Sequence, residues 1–437
     1  MRIGIKFEDD RFDNLDISNP VKGNPGIGGT AYEEILLAYL LSDSGAEVYL
    51  YHTNGTNILP KSVRSRRVDH ILKIPKQARM DKADLLIFSA SRTDAWYDEI
   101  DKNRVCSIAW AHCYLNYFEI RRIQKSSFVK RVIFVGRQQY YAYIADDIIE
   151  KSDYIYNIYE SGNFPYDTEG RKEHQAVYLG SLYRYKGFHI LAKAWKAVLQ
   201  EVPDAELIVI GNGRLYGREM KLGKYGLAQK AYERKFVKYL KDQSGAIHKS
   251  VHFLGIVGDE KNKIMAHAAV GIANPSGITE TFCISAVEME SCGLPVCTAG
   301  KFGLLDTVIN EKTGLFSGNS KQLASNIVTM FKNEAVRKEY GRNAVRYVKK
   351  FQGNKILPKW MQVFDEILDN RCPVYESPVK NDTEIKIKKV LRKIRFDLNQ
   401  RWVPSFIFFE ILFKRMPVEW IRNILDRLSA KKELKND

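Results

Sequence analysis

Three carboxylates, Glu280, Glu288 and Glu290, stand in the stretch "SGITETFCISAVEMESCGLPV" among side chains that are otherwise small or apolar. The pattern predicts a strand and loop over "VGIANPSG" and a helix over "FCISAVEMESCG", ended by Gly293. Glu280 then belongs to the loop before the helix. Glu288 follows Ile284 by one turn and neighbours Val287, so it shares the face that should point inward. Glu290 is rotated about 160° from Glu288, at about 100° per residue, and is expected on ordinary surface. An inward carboxylate costs desolvation unless it is hydrogen-bonded. Either the vicinal hydroxyls of a sugar or a buried cation would satisfy Glu288.

Two glycine-bearing loops could meet an anion. "GIGG", Gly26 to Gly29, precedes a helical pattern, so its amides and the positive end of the helix could face a phosphate, or the glycines could simply build a tight turn. The spacing lacks the full GxGxxG of a dinucleotide fingerprint. "GSLYRYKG", Gly180 to Gly187, lies between a strand and a helix and places Arg184 and Lys186 at the helix entry. Cations there disfavour the helix by ~0.3–1 kcal/mol each, which makes sense if an anion arrives, and the alternative is two solvated charges. No Asp-x-Asp triplet occurs, so a metal-bridged diphosphate has no evident ligand set.

These loops need a frame. Before each of them stands a short apolar run, and after each an amphipathic pattern: "IGIKF" then "GNPGIGGT" then "AYEEILLAYLLSDSG", and later "AVYLG" then "SLYRYKG" then "FHILAKAWKAVLQ". This is the grammar of a parallel sheet with helical crossovers, written twice. "AEVYLYH", "ADLLIFSAS", "VCSIAWAH" and "RVIFVG" extend the first half, and "AELIVIG", "VHFLG", "VGIANPSG" and "LPVCTAG" the second. The expected organisation is two Rossmann-like α/β domains, residues 1–165 and 166–350, facing a cleft. A helix over 351–372 closes the second domain, and a basic helical extension covers 373–437.

The 437 residues, 45% hydrophobic and 27% charged, suit an ordinary globular protein of several cores rather than a disordered or fibrous chain. The six cysteines form no CxxC pair and sit mostly among apolar neighbours, as free core thiols do. "MRIGIKFEDD" lacks the apolar core of a secretory signal, and no apolar run approaches the ~20 residues that cross a bilayer. The expectation is a cytoplasmic protein whose membrane contact, if any, is peripheral. The net charge of +16 invites anionic partners, and residues 380–437 hold fifteen Lys/Arg against eight Asp/Glu. Within them, Trp402, Phe406, Phe409 and Phe413, then Trp420, Ile421, Ile424, Leu425 and Leu428, recur at helical spacing on either side of Pro417. Two short amphipathic helices with basic flanks suit an anionic membrane surface, or a face packed on the protein itself or on a second copy.

The run from Asn274 to Phe316, with Glu280 and Glu288 seven residues apart, "CGLPVCTAG" and "DTVINEKTGLF", resembles the donor-site signature of family 4 of the retaining glycosyltransferases, which have the GT-B fold. The resemblance extends over roughly residues 1 to 370 and implies that residues 1–165 form the acceptor domain and residues 166–350 the nucleotide-sugar donor domain. It implies a glycosyltransferase that takes a nucleotide-diphosphate sugar, passes the sugar to a saccharide or lipid-linked saccharide, and needs no metal or cofactor. It implies that Glu288 holds the ribose hydroxyls, Glu280 lies beside the donor sugar, Lys186 binds the diphosphate, Gly28 and Gly29 face phosphate, and His112 contacts sugar. Phe282 and Cys283 complete the implied donor site. Two positions depart from the family: Ser181 follows Gly180 where an arginine is usual, with Arg184 as the possible replacement, and Cys283 stands where a glycine is usual. The other readings are a nucleotide-sugar epimerase on the same fold and a non-catalytic basic protein binding membrane or nucleic acid. Nucleic acid is not expected as a partner of the enzyme.

Overall fold

The computed structural model describes residues 1–10, 12–144, 146–160, 170–213, 221–258 and 260–373. The expected basic extension, beyond its first residue, lies outside the described residues. By contacts the chain divides into Met1–Gln139 with Lys151–Pro373, and Tyr140–Glu150 with Val374–Asp437. In the described part of the smaller unit the backbone turns on itself, Tyr143 N donating to Tyr140 O (3.0 Å) and Asp146 N to Tyr143 O (2.8 Å).

The larger unit contains two parallel sheets. The first comprises β1 (Arg2–Lys6), β2 (Glu47–His52), β3 (Arg64–Arg67), β4 (Leu85–Ser89), β5 (Ser107–Ala111), β6 (Val129–Phe134) and β7 (Ser152–Tyr154), in the order β3-β2-β1-β4-β5-β6-β7. Ile3 lies beside Val48 on one side and Leu85 on the other. The second comprises β8 (Gln175–Leu179), β9 (Glu206–Ile210), β10 (Val251–Gly255), β11 (Val270–Ala273), β12 (Val296–Thr298) and β13 (Gly314–Phe316), in the order β10-β9-β8-β11-β12-β13. Strand order therefore reverses at β1/β4 in one sheet and at β8/β11 in the other. In the central strands nearly every residue is buried, as expected of strands covered by helices on both faces.

Hydrophobic patterning misses β3, whose residues are Arg64, Ser65, Arg66 and Arg67. It is an edge strand, and such edges carry charge to block further pairing. Arg64 and Arg66 lie over the Tyr49 ring and pair with Glu47 (2.7 Å) and Asp81 (3.4 Å).

The helix over Gly353–Leu368 corrects one expectation. It does not close the second domain. Its apolar face, with Ile356, Trp360, Val363 and Phe364, joins the core of the first sheet and of the helix Gly29–Asp43. Trp360 meets Trp110 of β5 edge to face, with ring centroids 5.0 Å apart, and Arg131 of β6 pairs with Glu366 at 3.3 Å. The second sheet has its own core, in which Trp195 donates to Ser250 Oγ at 3.0 Å.

Candidate functional site

Ligands of open α/β sheets gather outside the carboxyl ends of the strands where the order reverses. In the second sheet that point is β8/β11. From β8 the chain runs through a single 3-10 turn, Arg184–Lys186, into the helix Phe188–Glu201. The turn ends at Gly187, with φ +73°, where an added Cβ would stand 2.5 Å from Ser276 N. Only glycine permits this close approach. The approach sets Lys186 beside the loop that leaves β11, and Ser276 Oγ donates to Tyr185 O (2.5 Å) across the same seam.

On that loop Asn274 and Thr279 have positive φ, 31° and 57°. Non-glycine residues there carry backbone strain of order 1–3 kcal/mol, which surrounding contacts must offset. What the strain holds in place is Glu280, buried, whose Oε2 accepts from Lys186 Nζ at 2.8 Å and from Asn274 Nδ2 at 2.7 Å. Sequence reasoning singled out Lys186 and Glu280 separately. It gave Asn274 no role, although Asn274 opens the recognised run.

Glu288, on the helix Ile284–Ser291, is buried as expected, and its partner is a cation: Lys261 Nζ donates to Oε1 at 2.8 Å, both side chains being less than a tenth exposed. Lys261 comes from the helix Glu260–His267 and was not anticipated. Glu290 corrects the reading of that helix. It is not on the surface but wholly buried, near the Thr313 hydroxyl and Lys350, and burial pushes its carboxyl well above the usual range. Every residue from Ala286 to Ser291 is buried, so the helix has no solvent face for a wheel to identify.

His112 lies at the exit of β5, half-buried, its ring 4.3 Å from that of Trp110. Its loop is held by three consecutive carbonyls: Gln139 Nε2 donates to Ala111 O and Cys113 O, both at 2.9 Å, and Thr281 Oγ1 donates to His112 O at 2.8 Å. Thr281 is the residue after Glu280, so one hydroxyl ties the first sheet's histidine to the second sheet's carboxylate loop. Burial pushes the imidazole down to about 3, with Glu8 pulling the other way, so the ring is neutral at physiological pH. A neutral imidazole both gives and takes hydrogen bonds, which suits hydroxyl groups.

A second tie between the two sheets' loops lies nearby. Asp306 Oδ2 accepts from Gln138 N at 2.8 Å, and Tyr347 OH donates to Asp306 O at 2.9 Å. Burial raises the Asp306 carboxyl to about 6 against the opposing pull of the Gln138 amide, Arg137 and Lys350.

Gly28 caps the helix Gly29–Asp43, and a Cβ on either Gly28 or Gly29 would meet nothing within 4 Å. Gly26 approaches Ile256 of the second half. One turn into the same helix, Glu33 accepts from Ile158 N at 2.8 Å, and its carboxyl is raised well above the usual range by burial, with the Glu288 charge adding to the effect. Arg184 is half-buried on the 3-10 turn. Phe282 does not face this polar cluster: its ring packs against Phe351 (5.0 Å) and Tyr156 (5.8 Å). The Cys283 thiol is buried in a separate apolar cluster with Val177 and Ile208 of the second sheet and pushed up to about 12, by burial first and by Glu280 next. Among the described residues no group of three or more His, Cys, Asp or Glu could hold a metal.

Comparison with known proteins gives a consistent picture. Residues 167–347 match the family model described as glycosyl transferases group 1. The chain is 21% identical over 184 residues to a phosphatidyl-myo-inositol mannosyltransferase of Mycobacterium leprae, covering 42% of this chain and 43% of that one. It is 25% identical over 222 residues to a D-inositol 3-phosphate glycosyltransferase of Corynebacterium glutamicum, covering 49% and 50%. The matched segment thus spans half or less of the length of these curated relatives. Among solved structures, a sucrose-phosphate synthase from Thermosynechococcus elongatus superposes with a TM-score of 0.65 at 17% identity, over 84% of this chain and 99% of that one. HepE of Anabaena, solved with UDP and glucose, superposes with a TM-score of 0.61 at 18% identity, over 84% and 100%. Residues 167–347, which carry Lys186, Glu280 and Glu288, are thus similar to group 1 glycosyl transferases, and the two parallel sheets together have the GT-B fold.

Proposed function

We propose that this protein is a retaining, metal-independent glycosyltransferase that moves a sugar from a nucleotide-diphosphate sugar to a hydroxyl of a saccharide or lipid-linked saccharide. The observation that carries the reading is the Lys186–Glu280–Asn274 cluster at the β8/β11 reversal, tied through Thr281 to His112. Lys186, with Arg184 beside it, meets the charge that develops on the departing diphosphate, a preorganised electrostatic contribution. Glu288 accepts from the ribose hydroxyls. Glu280 orients the donor sugar and stabilises positive charge at its ring, while His112 contacts a sugar hydroxyl.

The acceptor oxygen bonds to the anomeric carbon on the face from which the phosphate oxygen leaves, and the acceptor proton passes to that phosphate oxygen. Configuration is retained without a covalent enzyme intermediate. A retaining hydrolase would need two carboxyls close together across the scissile bond, one of them a nucleophile, and Glu288 is engaged elsewhere. The basic tail is read as a peripheral anchor on an anionic membrane. Screening nucleotides and nucleotide sugars by thermal shift tests the donor class, since a ligand at 100 times its dissociation constant stabilises by ~2.7 kcal/mol. Proton NMR of the first-formed product then reads the anomeric configuration. Inversion, or activity that excess chelator abolishes and magnesium restores, would overturn the mechanism.

A further inference from the structure

The rule that locates the donor cluster applies equally to the first sheet. Its order reverses at β1/β4, and the chain leaving those two strands carries Glu8 and Arg92. Lys6 ends β1, and the next strand over, β5, leads to His112. Sequence patterns drew attention to none of Lys6, Glu8, Arg92 and Glu34, and the chemistry above uses none of them.

They form one charged cluster. Arg92 donates to Glu8 Oε1, Lys6 Nζ lies 3.4 Å from the same oxygen, and Glu8 N donates to Glu34 Oε2 at 2.7 Å. The Arg92 guanidinium lies over the Trp96 ring, 5.8 Å from its centroid. Lys6 and Glu34 are buried, whereas the Glu8 and Arg92 side chains remain 21% and 14% exposed, enough for an arriving group to touch them. Burial favours a neutral Glu8, but Arg92 and Lys6 overcome it and hold the carboxyl at about 2. Glu34, by burial and by the nearby Glu8 charge, is raised to about 8. The Glu8 charge is also felt at the exit of β5, where it pulls the His112 imidazole upward against burial.

Arg92 Nε, Glu34 Oε1 and Trp96 Nε1, and at the exit of β5 His112 Nε2, are buried without a hydrogen-bond partner among the described residues. Buried polar groups are normally satisfied, so these atoms keep hydrogen-bonding capacity that the described residues do not use. The leftover atoms include both donors and acceptors, which matches a hydroxyl group, since it gives one hydrogen bond and takes two. A phosphate only accepts. It would find both nearby cations already engaged by Glu8, and an ionised carboxylate between them.

We propose that the Glu8–Arg92 pair at the β1/β4 reversal recognises the acceptor, and that it selects an uncharged polyol or sugar over a phosphorylated one. This rests on the glycosyl-transfer reading, and the experiment separates the two. The full-length protein is first titrated calorimetrically with nucleoside diphosphates alone; absence of binding would overturn glycosyl transfer itself. With the nucleotide sugar that stabilises it most, release of nucleoside diphosphate is then measured against two matched pairs of probes, glucose with glucose 6-phosphate and myo-inositol with inositol 1-phosphate. The expected result is a kcat/KM at least tenfold higher for the neutral member of a pair. Glu8→Gln, which adds one unit of positive charge at constant shape, should raise KM for the neutral probe about tenfold and narrow or invert the ratio. Arg92→Lys keeps the charge, loses Nε, and should raise KM more than it lowers kcat. Circular dichroism checks that each variant is folded, and should Glu8→Gln not fold, the wild-type ratio and Arg92→Lys carry the test. A wild-type preference for the phosphorylated probes, no response to any neutral probe, or an unchanged KM and ratio in folded Glu8→Gln would each overturn the acceptor proposal.

Discussion

Replacing Lys261 by methionine should separate the two reasons a carboxylate can be buried at position 288. Lys261 and Glu288 are 2.8 Å apart and both side chains are less than a tenth exposed, so water screens them little. Removing one partner of such a pair leaves an uncompensated charge and costs ~3–5 kcal/mol of stability. Replacing both, Lys261→Met with Glu288→Gln, removes the unpaired charge and should recover a large part of that loss. Urea unfolding of the four proteins gives the coupling energy directly. Nucleotide binding is the second axis. Glu288→Gln should weaken calorimetric affinity for the nucleoside diphosphate by ~1.5–3 kcal/mol, the worth of a charge-assisted hydrogen bond, if the carboxylate also receives ribose hydroxyls. A purely structural pair would show the stability coupling with unchanged affinity. If Lys261→Met cost less than ~0.5 kcal/mol, the size of an ordinary surface substitution, the buried-pair argument itself would be wrong.

Glu280→Ala should lower turnover while nucleoside diphosphate affinity is nearly kept; a calorimetric loss as large as that of Glu288→Gln would contradict its place beside the sugar. Lys186→Ala should raise the donor Michaelis constant more than Arg184→Ala does, and an unchanged constant in the Lys186 variant would refute diphosphate capture. For Asp306, the folded carboxyl is raised to about 6 from an ordinary 3.8, so the folded state binds the extra proton. Its stabilising effect is complete below pH ~4 and is lost as pH rises through ~6. At 1.36 kcal/mol per pKa unit, Asp306→Asn should gain on the wild type by up to ~3 kcal/mol between pH 4 and pH 7, and parallel stability curves in urea melts across that range would exclude the effect. Deleting residues 380–437 should abolish sedimentation with anionic vesicles at low salt, and equal sedimentation of truncated and full-length protein would remove the tail as the anchor.

The first domain's short apolar strands, its glycine loop and the restart of the same pattern after residue 175 were legible in the sequence, because strand–loop–helix alternation is a local signal repeated in both halves. The spacing of Glu280 and Glu288 and the position of Lys186 were legible for a related reason: Lys186 and Glu280 sit at strand-to-helix junctions that the pattern itself marks, and Glu288 follows on the helix after the second of them. Three things depended on tertiary structure. Asn274 and Thr281 became functional candidates only when the loop after β11 was seen to touch Lys186 on one side and His112 on the other, contacts spanning 94 and 169 residues of chain. Lys261 could be assigned to Glu288 only in space, since nothing local links two positions 27 residues apart on different helices. Glu290 was misplaced because a periodicity argument presumes one face to solvent, and every residue of that helix from Ala286 to Ser291 is buried. The same holds for Gly353–Leu368: its amphipathic face was evident from sequence, but an apolar face does not name its partner. Trp110 and the first sheet claimed it because burial is non-directional and goes to whichever surface the folded chain brings within reach.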